Sequence, residues 1–403
     1  MSRKASILIS RSSAGLLALA TVSLPSNTGF SQTCPIGRYC FYAPPSYPTP
    51  PGFSVGWDIV FSSPRGTITG TWTSDGSSPT SFSVSPGQPT VVPLSTALGT
   101  AASFGTVEKR GLFIDASSPE LIVAHRLIAG VWQSSSTIKN SAVALGTRFR
   151  MGSYNLNRQS SQDTAYDAAS VYAPFGATVT FEAPPSATLP FWEANPDASF
   201  TVDLAPGETY VARTIPATEC NRELEGGLLT ASAPVAVESG GRGWGVSCGV
   251  TTNCGDDGAD NLIPVRALGT EYVVHDFPSA ATDGEDISVV ADQVGTEVRI
   301  NGVVVATLAP GDVHHAQLSG TTYVETSLPA AVFQNSGLTS CEIDMAIIPP
   351  IVLGNVGSWA TDFNVSGTGV VGVVLRASDV SSLKIDGAVP VFTSSVSVPV
   401  DRV

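Results

Sequence analysis

Four short motifs recur in the same order along this chain, and their spacing limits the possible fold more than any other feature of the sequence. They are a Leu-Gly strand opener, a glycine followed by an alternating strand, a Pro-Gly turn after an apolar residue, and a Ser-x-Pro strand. The Pro-Gly turns at Pro86-Gly87, Pro206-Gly207 and Pro310-Gly311 are 120 and then 104 residues apart. A period near 100 residues fits a β-sandwich domain and is too long for a solenoid repeat.

The other motifs keep comparable distances. They are the openers Leu145-Gly146, Leu268-Gly269 and a degraded Leu353-Gly354, the glycines Gly66, Gly176 and Gly295, and the prolines Pro119, Pro234 and Pro329 of the Ser-x-Pro strands. In the third copy, Asn301-Gly302 lies between alternating apolar residues, which is a strong signal for a two-residue β-hairpin. Asp75-Gly76 and Asp386-Gly387 occupy matching places in the first and fourth copies.

The composition favours the same fold class. Glycine and proline are abundant, with 39 and 29 residues, whereas charged residues make up only 13% of the chain. This mixture suits strands joined by many turns. No stretch after the first 31 residues has convincing helical periodicity. The sequence therefore predicts an all-β protein of tandem antiparallel β-sandwich-like modules, with very little helix outside an N-terminal signal.

The motif positions also predict where each module begins and ends. The expected organisation is a signal peptide over 1–31, a Cys/Pro-rich linker over 32–52, β modules over 53–143, 144–266 and 267–351, and a partial fourth module over 352–403. The fourth copy stops before a Pro-Gly turn of its own. We expect either a truncated gene product or a last module completed by another chain.

The first residues are typical of an export signal. Arg3, Lys4 and Arg11 precede or begin an apolar run, Ala14 to Leu24, which is too short to span a bilayer as a helix. We expect cleavage after Ser31, with a competing site after Ala20. Loss of residues 1–31 changes the net charge from −14 to −17. No later segment is long and apolar enough for a transmembrane helix, so we expect a secreted or cell-surface protein.

Six cysteines are compatible with export, because an even number in an exported chain favours disulfides. Two close pairs are evident, Cys34 with Cys40 and Cys248 with Cys254, which leaves Cys220 with Cys341 as the third. A zinc site is the alternative, but neither close pair has the C-x(2–4)-C spacing with a nearby histidine that zinc sites use.

The negative charge limits the partners that the chain can have. A net charge of −14 argues against nucleic acid and against anionic membranes, since both are held by clustered Lys and Arg. The simplest interpretation is that acidity keeps an exported protein soluble.

The segment from Cys248 to Tyr272 carries a resemblance to a known family. It contains a Cys-Gly-Asp turn, a Pro264-Val265 pair and the strand Leu268 to Val274, in that order. This arrangement resembles the N-terminal domain family of IgGFc-binding proteins, which occurs in animal mucus proteins and in secreted bacterial proteins. The resemblance extends more weakly over about 53–350. It implies a surface or secreted interaction role and brings no catalytic motif, and we expect a bacterial member.

The same region supplies the candidate binding residues. We predict a surface loop from Ser239 to Asn261 that is held by the Cys248–Cys254 ring, because loops on a rigid scaffold are where function accumulates. The candidate ligand-binding residues are Arg242, Trp244, Asp256, Asp257, Asp260 and Asn261. The acidic residues either form a solvated or capping turn or bind Ca²⁺ through Asp256, Asp257 and Asp260. No other cofactor is expected.

Other possible chemistry is weaker. Gly245-Val246-Ser247-Cys248-Gly249 matches the G-x-S-x-G pattern of a nucleophile elbow, but no helix start follows it, as that motif requires. His314 and His315 should point to opposite faces of a strand and remain solvated, so they are not expected to share an ion.

The sequence thus predicts an exported, non-enzymatic binding or adhesion protein that engages an extracellular protein or glycan through loops on repeated β modules. A structural spacer of the cell surface or extracellular matrix, with self-association, is the first alternative. A glycan-acting enzyme is the second, because glycoside hydrolysis needs two facing carboxylates that the sequence does not reveal.

Overall fold

The structure is a computed structural model, and strands make up almost all of the regular structure that it describes. It describes residues 34–45, 55–74, 77–94, 103–129, 132–138, 144–153, 166–215, 223–244, 256–275, 285–318, 320–336 and 344–351. All pairings between the strands in these ranges are antiparallel, and the all-β, sandwich-like fold class predicted from the sequence is confirmed. The predicted signal peptide and the partial fourth module lie outside the described residues. Within the described ranges, no helix is long and apolar enough to span a membrane.

The first group of strands, which we call unit A, forms a two-layered sandwich. Its strands are β1 (Tyr39–Ala43), β2 (Val55–Ser62), β3 (Ile68–Ser74), β4 (Thr80–Val84), β5 (Thr90–Leu94), β6 (Leu112–Ala116), β7 (Ile122–Ala129) and β8 (Trp132–Ile138). Layer I has the strand order β1-β6-β3-β4, and layer II has the order β5-β2-β7-β8. Alternate residues of both layers meet in one core, where Phe61 stacks on Phe82 with ring centroids 4.1 Å apart.

Two further groups, units B and C, repeat this arrangement with seven strands each. Unit B contains β9 (Gly146–Arg150), β10 (Tyr166–Ala173), β11 (Ala177–Glu182), β12 (Ser199–Leu204), β13 (Glu208–Arg213), β14 (Leu228–Trp244) and β15 (Asp256–Asn261). Unit C contains β16 (Gly269–His275), β17 (Asp286–Ala291), β18 (Thr296–Ile300), β19 (Val303–Leu308), β20 (Val313–Gln317), β21 (Thr321–Ser336) and β22 (Asp344–Ile347). A 3-10 turn, Val265–Ala267, connects them.

One long strand in each of units B and C belongs to both layers. The first part of β14 pairs with β9 and β11 in layer I, and its second part pairs with β10 and β15 in layer II. Strand β21 does the same with β16 and β18, and then with β17 and β22. In unit A the corresponding chain is divided into β6 and β7. The three units therefore share one topology.

The Ser-x-Pro motif lies where this strand crosses between the layers. Proline has no N–H to donate to a ladder, so pairing is interrupted there. The preceding serine compensates, because its hydroxyl accepts a hydrogen bond from a backbone N–H at the start of the third strand of its unit. The three bonds are Thr69 N to Ser117 Oγ at 3.1 Å, Thr178 N to Ser232 Oγ at 2.9 Å, and Glu297 N to Ser327 Oγ at 2.8 Å.

The turn predictions agree with the structure where it describes them. Asn301 and Gly302 connect β18 to β19 with φ of 50° and 82°, as a tight hairpin of this type requires. The glycines of the three Pro-Gly turns all have positive φ, between 67° and 84°. Such angles are accessible to glycine at no steric cost, which explains why this residue recurs at each turn.

One of the three predicted disulfides lies in the described part of the chain. Cys34 and Cys40 are bonded, with their Cα atoms 5.6 Å apart. The other two predicted pairs, among Cys220, Cys248, Cys254 and Cys341, fall outside the described residues.

Candidate ligand-binding site at the end of the β14–β15 hairpin

The predicted binding residues lie on two paired strands. Arg242 and Trp244 are near the end of β14, and Asp256 and Asp257 begin β15. Arg242 is opposite Asp257 and Trp244 is opposite Asp256, with a register shift between the two pairs. The hairpin therefore brings a cationic residue and an aromatic residue into cross-strand register with two carboxylic acids.

The prediction of a loop over residues 239–261 is wrong for its described ends. Ser239–Trp244 continues β14, and Asp256–Asn261 forms β15. Glycine-rich composition usually indicates a loop. Here glycine is present because the two strands approach closely: a Cβ on Gly240 would overlap the Gly258 carbonyl oxygen and come within 2.6 Å of Ala259 Cα. Glycine inside a strand commonly marks such an approach.

Two of the candidate residues are buried at the base of the hairpin. Asp260 and Asn261 are 8% and 1% exposed. Asp260 Oδ2 accepts a hydrogen bond from the Ile347 N–H of β22 at 3.1 Å, and Asp260 Oδ1 accepts one from the Asn261 N–H at 2.8 Å. The Asn261 side-chain amide donates to Glu238 Oε2 at 3.2 Å. In this structure the two residues hold β15 in place and connect unit B to unit C.

Strand β15 thus occupies a junction. It pairs with β14 of its own unit and also lies against β8 of unit A and β22 of unit C. Strand β15 is consequently contacted by one strand from each of the three units.

Comparison with known families was informative for this part of the chain. A family model described as IgGFc binding protein matches residues 135–401, which include all strands of units B and C. The chain belongs to this family. No curated protein and no solved structure matches the chain. The match begins inside β8, so most of unit A precedes it.

Within this IgGFc-binding family member, the β14–β15 connection differs from its two equivalents. It comprises the 11 residues 245–255, whereas the β7–β8 connection has 2 residues, 130–131, and the β21–β22 connection has 7, 337–343. The longest connection also contains two of the six cysteines, Cys248 and Cys254. Equivalent strands therefore support connections of unequal length, and the longest joins Trp244 to Asp256.

The described residues were predicted to include calcium ligands at Asp256, Asp257 and Asp260. Among the described residues, no group of three or more His, Cys, Asp or Glu side chains is placed to hold a metal ion. Both Asp260 carboxylate oxygens already accept backbone N–H groups, so this residue is poorly placed to contribute a calcium ligand. Calcium at Asp256 and Asp257 stays a prediction.

One polar cluster between units B and C was missed by sequence reasoning. His315 Nδ1 lies 3.1 Å from Ser288 Oγ, and His315 Nε2 lies 3.2 Å from Glu225 Oε2. His315 stays partly solvated, as the sequence led us to expect, because 37% of its side chain is exposed beside its contact with Glu225 of unit B. A serine, a histidine and a glutamate in contact are reminiscent of a hydrolase triad, but Ser288 is 0% exposed and cannot reach a substrate. The residues come from three separate segments, so no local motif could reveal the cluster.

Proposed function

We propose that this chain is an exported, non-enzymatic binding protein that holds an extracellular protein or glycan at the end of the β14–β15 hairpin. Family membership supports a binding role. The observation that carries the site is the inequality of the three equivalent connections. The longest, 245–255, joins two strand ends whose sequence contains Arg242, Trp244, Asp256 and Asp257.

The physical argument rests on preorganisation. Aromatic and arginine residues are the commonest energetic anchors of protein interfaces. Strand β15 is held by β14 of the same hairpin and by β8 and β22, so it would lose little conformational entropy when a ligand binds beside it, and more of the contact energy remains as affinity. Asp260 and Asn261 support the site from below, since their polar atoms are engaged within the protein.

The test is a protein and glycan array screen with residues 32–403, including antibody Fc as one probe. Trp244→Ala combined with Asp257→Ala should reduce retention of any ligand found, while a melting temperature within about 2 °C of wild type would show that the fold is intact. Tyr39→Ala with Glu120→Ala is the matched control, because it removes a partly exposed aromatic and a partly exposed acid from unit A. Unchanged retention in the Trp244 and Asp257 variant would reject this site.

Export and calcium are tested separately. Intact mass of the secreted protein should show Gln32 as its first residue, and a chain beginning at Thr21 would show the alternative cleavage. If calcium binds at Asp256 and Asp257, adding calcium should raise the melting temperature and a chelator should reverse the change. Equal melting temperatures in both conditions would remove calcium from the proposal.

A structural spacer remains the second candidate, and one observation favours it. A single hydrophobic cluster joins the core of unit B to Val290, Ala331 and Phe333 of unit C. Units that share a core move together, which suits a spacer. A protein that assembles into ordered arrays in sedimentation experiments and retains no ligand would favour the spacer over the binding protein.

A further inference from the structure

The same face-to-face contact joins unit A to unit B and unit B to unit C. In the first junction, Tyr42 of β1 and Phe113 of β6, on the outer face of layer I of unit A, contact Tyr172 of layer II of unit B. The Tyr42 and Tyr172 ring centroids are 6.1 Å apart. In the second junction, Arg150 on the outer face of layer I of unit B contacts Asp292, which follows β17 of layer II of unit C. Layer I of one unit therefore receives layer II of the next.

The contact residues occupy equivalent positions in the two junctions. Tyr42 and Phe113 are cross-strand partners in unit A, and Arg150 and Leu228 are the corresponding partners in unit B. The corresponding pair in unit C is Val273 and Tyr323, because β16 pairs with the first part of β21 in the same way. Because Tyr323 is next to the core residue Val324 in the strand, its side chain lies on the outer face of layer I. It is nevertheless only 6% exposed, so this outer face is covered.

The chain also leaves units B and C at equivalent places. A Cβ on Gly146, the first residue of β9, would overlap Pro264, which follows β15. A Cβ on Gly269, the first residue of β16, would overlap Pro350, which follows β22. The segment that leaves unit B in this way becomes unit C and covers layer I of unit B. The segment that leaves unit C beside Pro350 is thus directed to layer I of unit C.

Residues 352–403 contain a sequence that matches the part of unit C used for docking. Val371-Gly372-Val373-Val374-Leu375-Arg376 corresponds to Ile287-Ser288-Val289-Val290-Ala291-Asp292. The apolar positions are kept and the final charge is inverted. The charge of the receiving face is inverted as well. Unit C has Glu271 where unit B has Arg148, and Glu325 lies opposite Glu271. Arg148 donates to Asp292 at 3.0 Å in the existing junction.

We propose that the outer face of layer I of unit C, centred on Val273, Tyr323, Glu271 and Glu325, is a docking surface for residues 371–376 of the same chain. Arg376 faces the two glutamates there and has the role that Asp292 has in the preceding junction. This places a positive charge beside two like charges on neighbouring strands, of which Glu325 also has Arg299 opposite it on β18. The connection that precedes the long strand is shorter in unit C than in the other units: it has 3 residues before β21, against 17 before β6 and 14 before β14. A docked segment would therefore contact less of this connection in the third junction than in the first two.

A zero-length carbodiimide cross-link tests this contact directly in the mature chain. In the Arg376→Lys variant, the new amine should become joined to Glu271 or Glu325 in the monomer band, with a yield that does not change on dilution. Coupling of an added small amine to exposed carboxylates in a parallel sample reports that the reagent worked. A link to Glu271 or Glu325 found only in a dimer band would mean that a second copy occupies the face, and a reacted sample with neither link would also overturn the proposal.

Charge reversal provides an independent measurement. Arg376→Glu should make the amides of Val273 and Tyr323 exchange with deuterium about tenfold faster, because the covering segment opens more often. Adding Glu271→Arg should restore most of the protection, since it returns opposite charges to the contact and lies opposite Glu325. Lys384→Glu, which changes the same charge eight residues away, should leave exchange at these amides unchanged. Equal effects of Arg376→Glu and Lys384→Glu, or no rescue by Glu271→Arg, would contradict the assignment.

Discussion

Replacing Asp292 with alanine should destabilise the protein more than any surface substitution, because Asp292 neutralises a buried arginine. Arg150 Nε lies 2.8 Å from Asp292 Oδ1, and the two side chains are 5% and 8% exposed. Burial lowers the pKa of Arg150 from its ordinary value, and Asp292 opposes that shift. Breaking a buried ion pair by removing one partner costs about 3–5 kcal/mol.

The structure narrows that range. Arg150 keeps a hydrogen bond from Nη1 to the Gly226 carbonyl at 3.1 Å, so its charge is not left without an acceptor. We therefore expect about 3 kcal/mol for Asp292→Ala, the lower end of the range for a broken buried pair. Arg148 also contacts Asp292 but is 39% exposed, so Arg148→Ala should cost about 0.2–1 kcal/mol.

The assay is urea unfolding of the mature chain, followed by tryptophan fluorescence and by circular dichroism. The two signals need not coincide in a chain of several units, so the earliest transition that involves units B and C is the one compared. Arg150→Met with Asp292→Leu should recover much of the loss, because an apolar pair can replace a buried ion pair at little cost. A loss below about 1 kcal/mol for Asp292→Ala, or equal losses for Arg148→Ala and Arg150→Ala, would refute the reasoning.

Three further predictions follow from individual contacts. Gly240→Val should prevent β14 and β15 from pairing, because its side chain would overlap Gly258, and the melting temperature should fall clearly in calorimetry; an unchanged value would mean that the hairpin is not as close as described. Burial lowers the pKa of His125 from 6.5 to about 4, so the unfolded chain binds a proton that the folded chain does not. Stability should therefore decline between pH 6.5 and pH 4 by about 3 kcal/mol from this residue, and His125→Gln should flatten that part of the unfolding profile; a parallel profile in the variant would exclude the effect. Ser232→Ala removes the hydrogen bond to the Thr178 N–H and should cost about 0.5–1.5 kcal/mol in urea unfolding, with a similar value for Ser327→Ala; no cost at either site would show that water replaces the serine.

The features that depend on local sequence were predictable. The Asn301-Gly302 hairpin and the Pro-Gly turns need positive φ, and glycine or asparagine at those positions predicts that conformation. The repeat of these motifs at domain-sized intervals then led to tandem sandwiches. Each of these inferences uses residues that are close together in the chain.

The features that depend on distant residues were not predictable. Gly240 and Gly258 reduce the intrinsic preference for a strand, so the sequence favoured a loop. Gly240 is required because two backbones approach closely there, and no local pattern contains that distance. The placement of Asp260 at a junction has the same origin, since its partner Ile347 is 87 residues away. A candidate site chosen from composition therefore mixed two buried anchors with four residues of the hairpin end.

The junctions show how one repeated contact can still specify an order of units. The pair at the same position is Tyr42 and Phe113 in unit A, Arg150 and Leu228 in unit B, and Val273 and Tyr323 in unit C. Tyr42 of unit A contacts the aromatic ring of Tyr172, and Arg150 of unit B contacts the carboxylate of Asp292. If unit C docked on unit A, Asp292 would lose its arginines and be buried beside rings, which costs several kcal/mol for an unpaired charge. Shared topology thus provides the docking geometry, and the differing chemistry at one position prevents units from docking out of order.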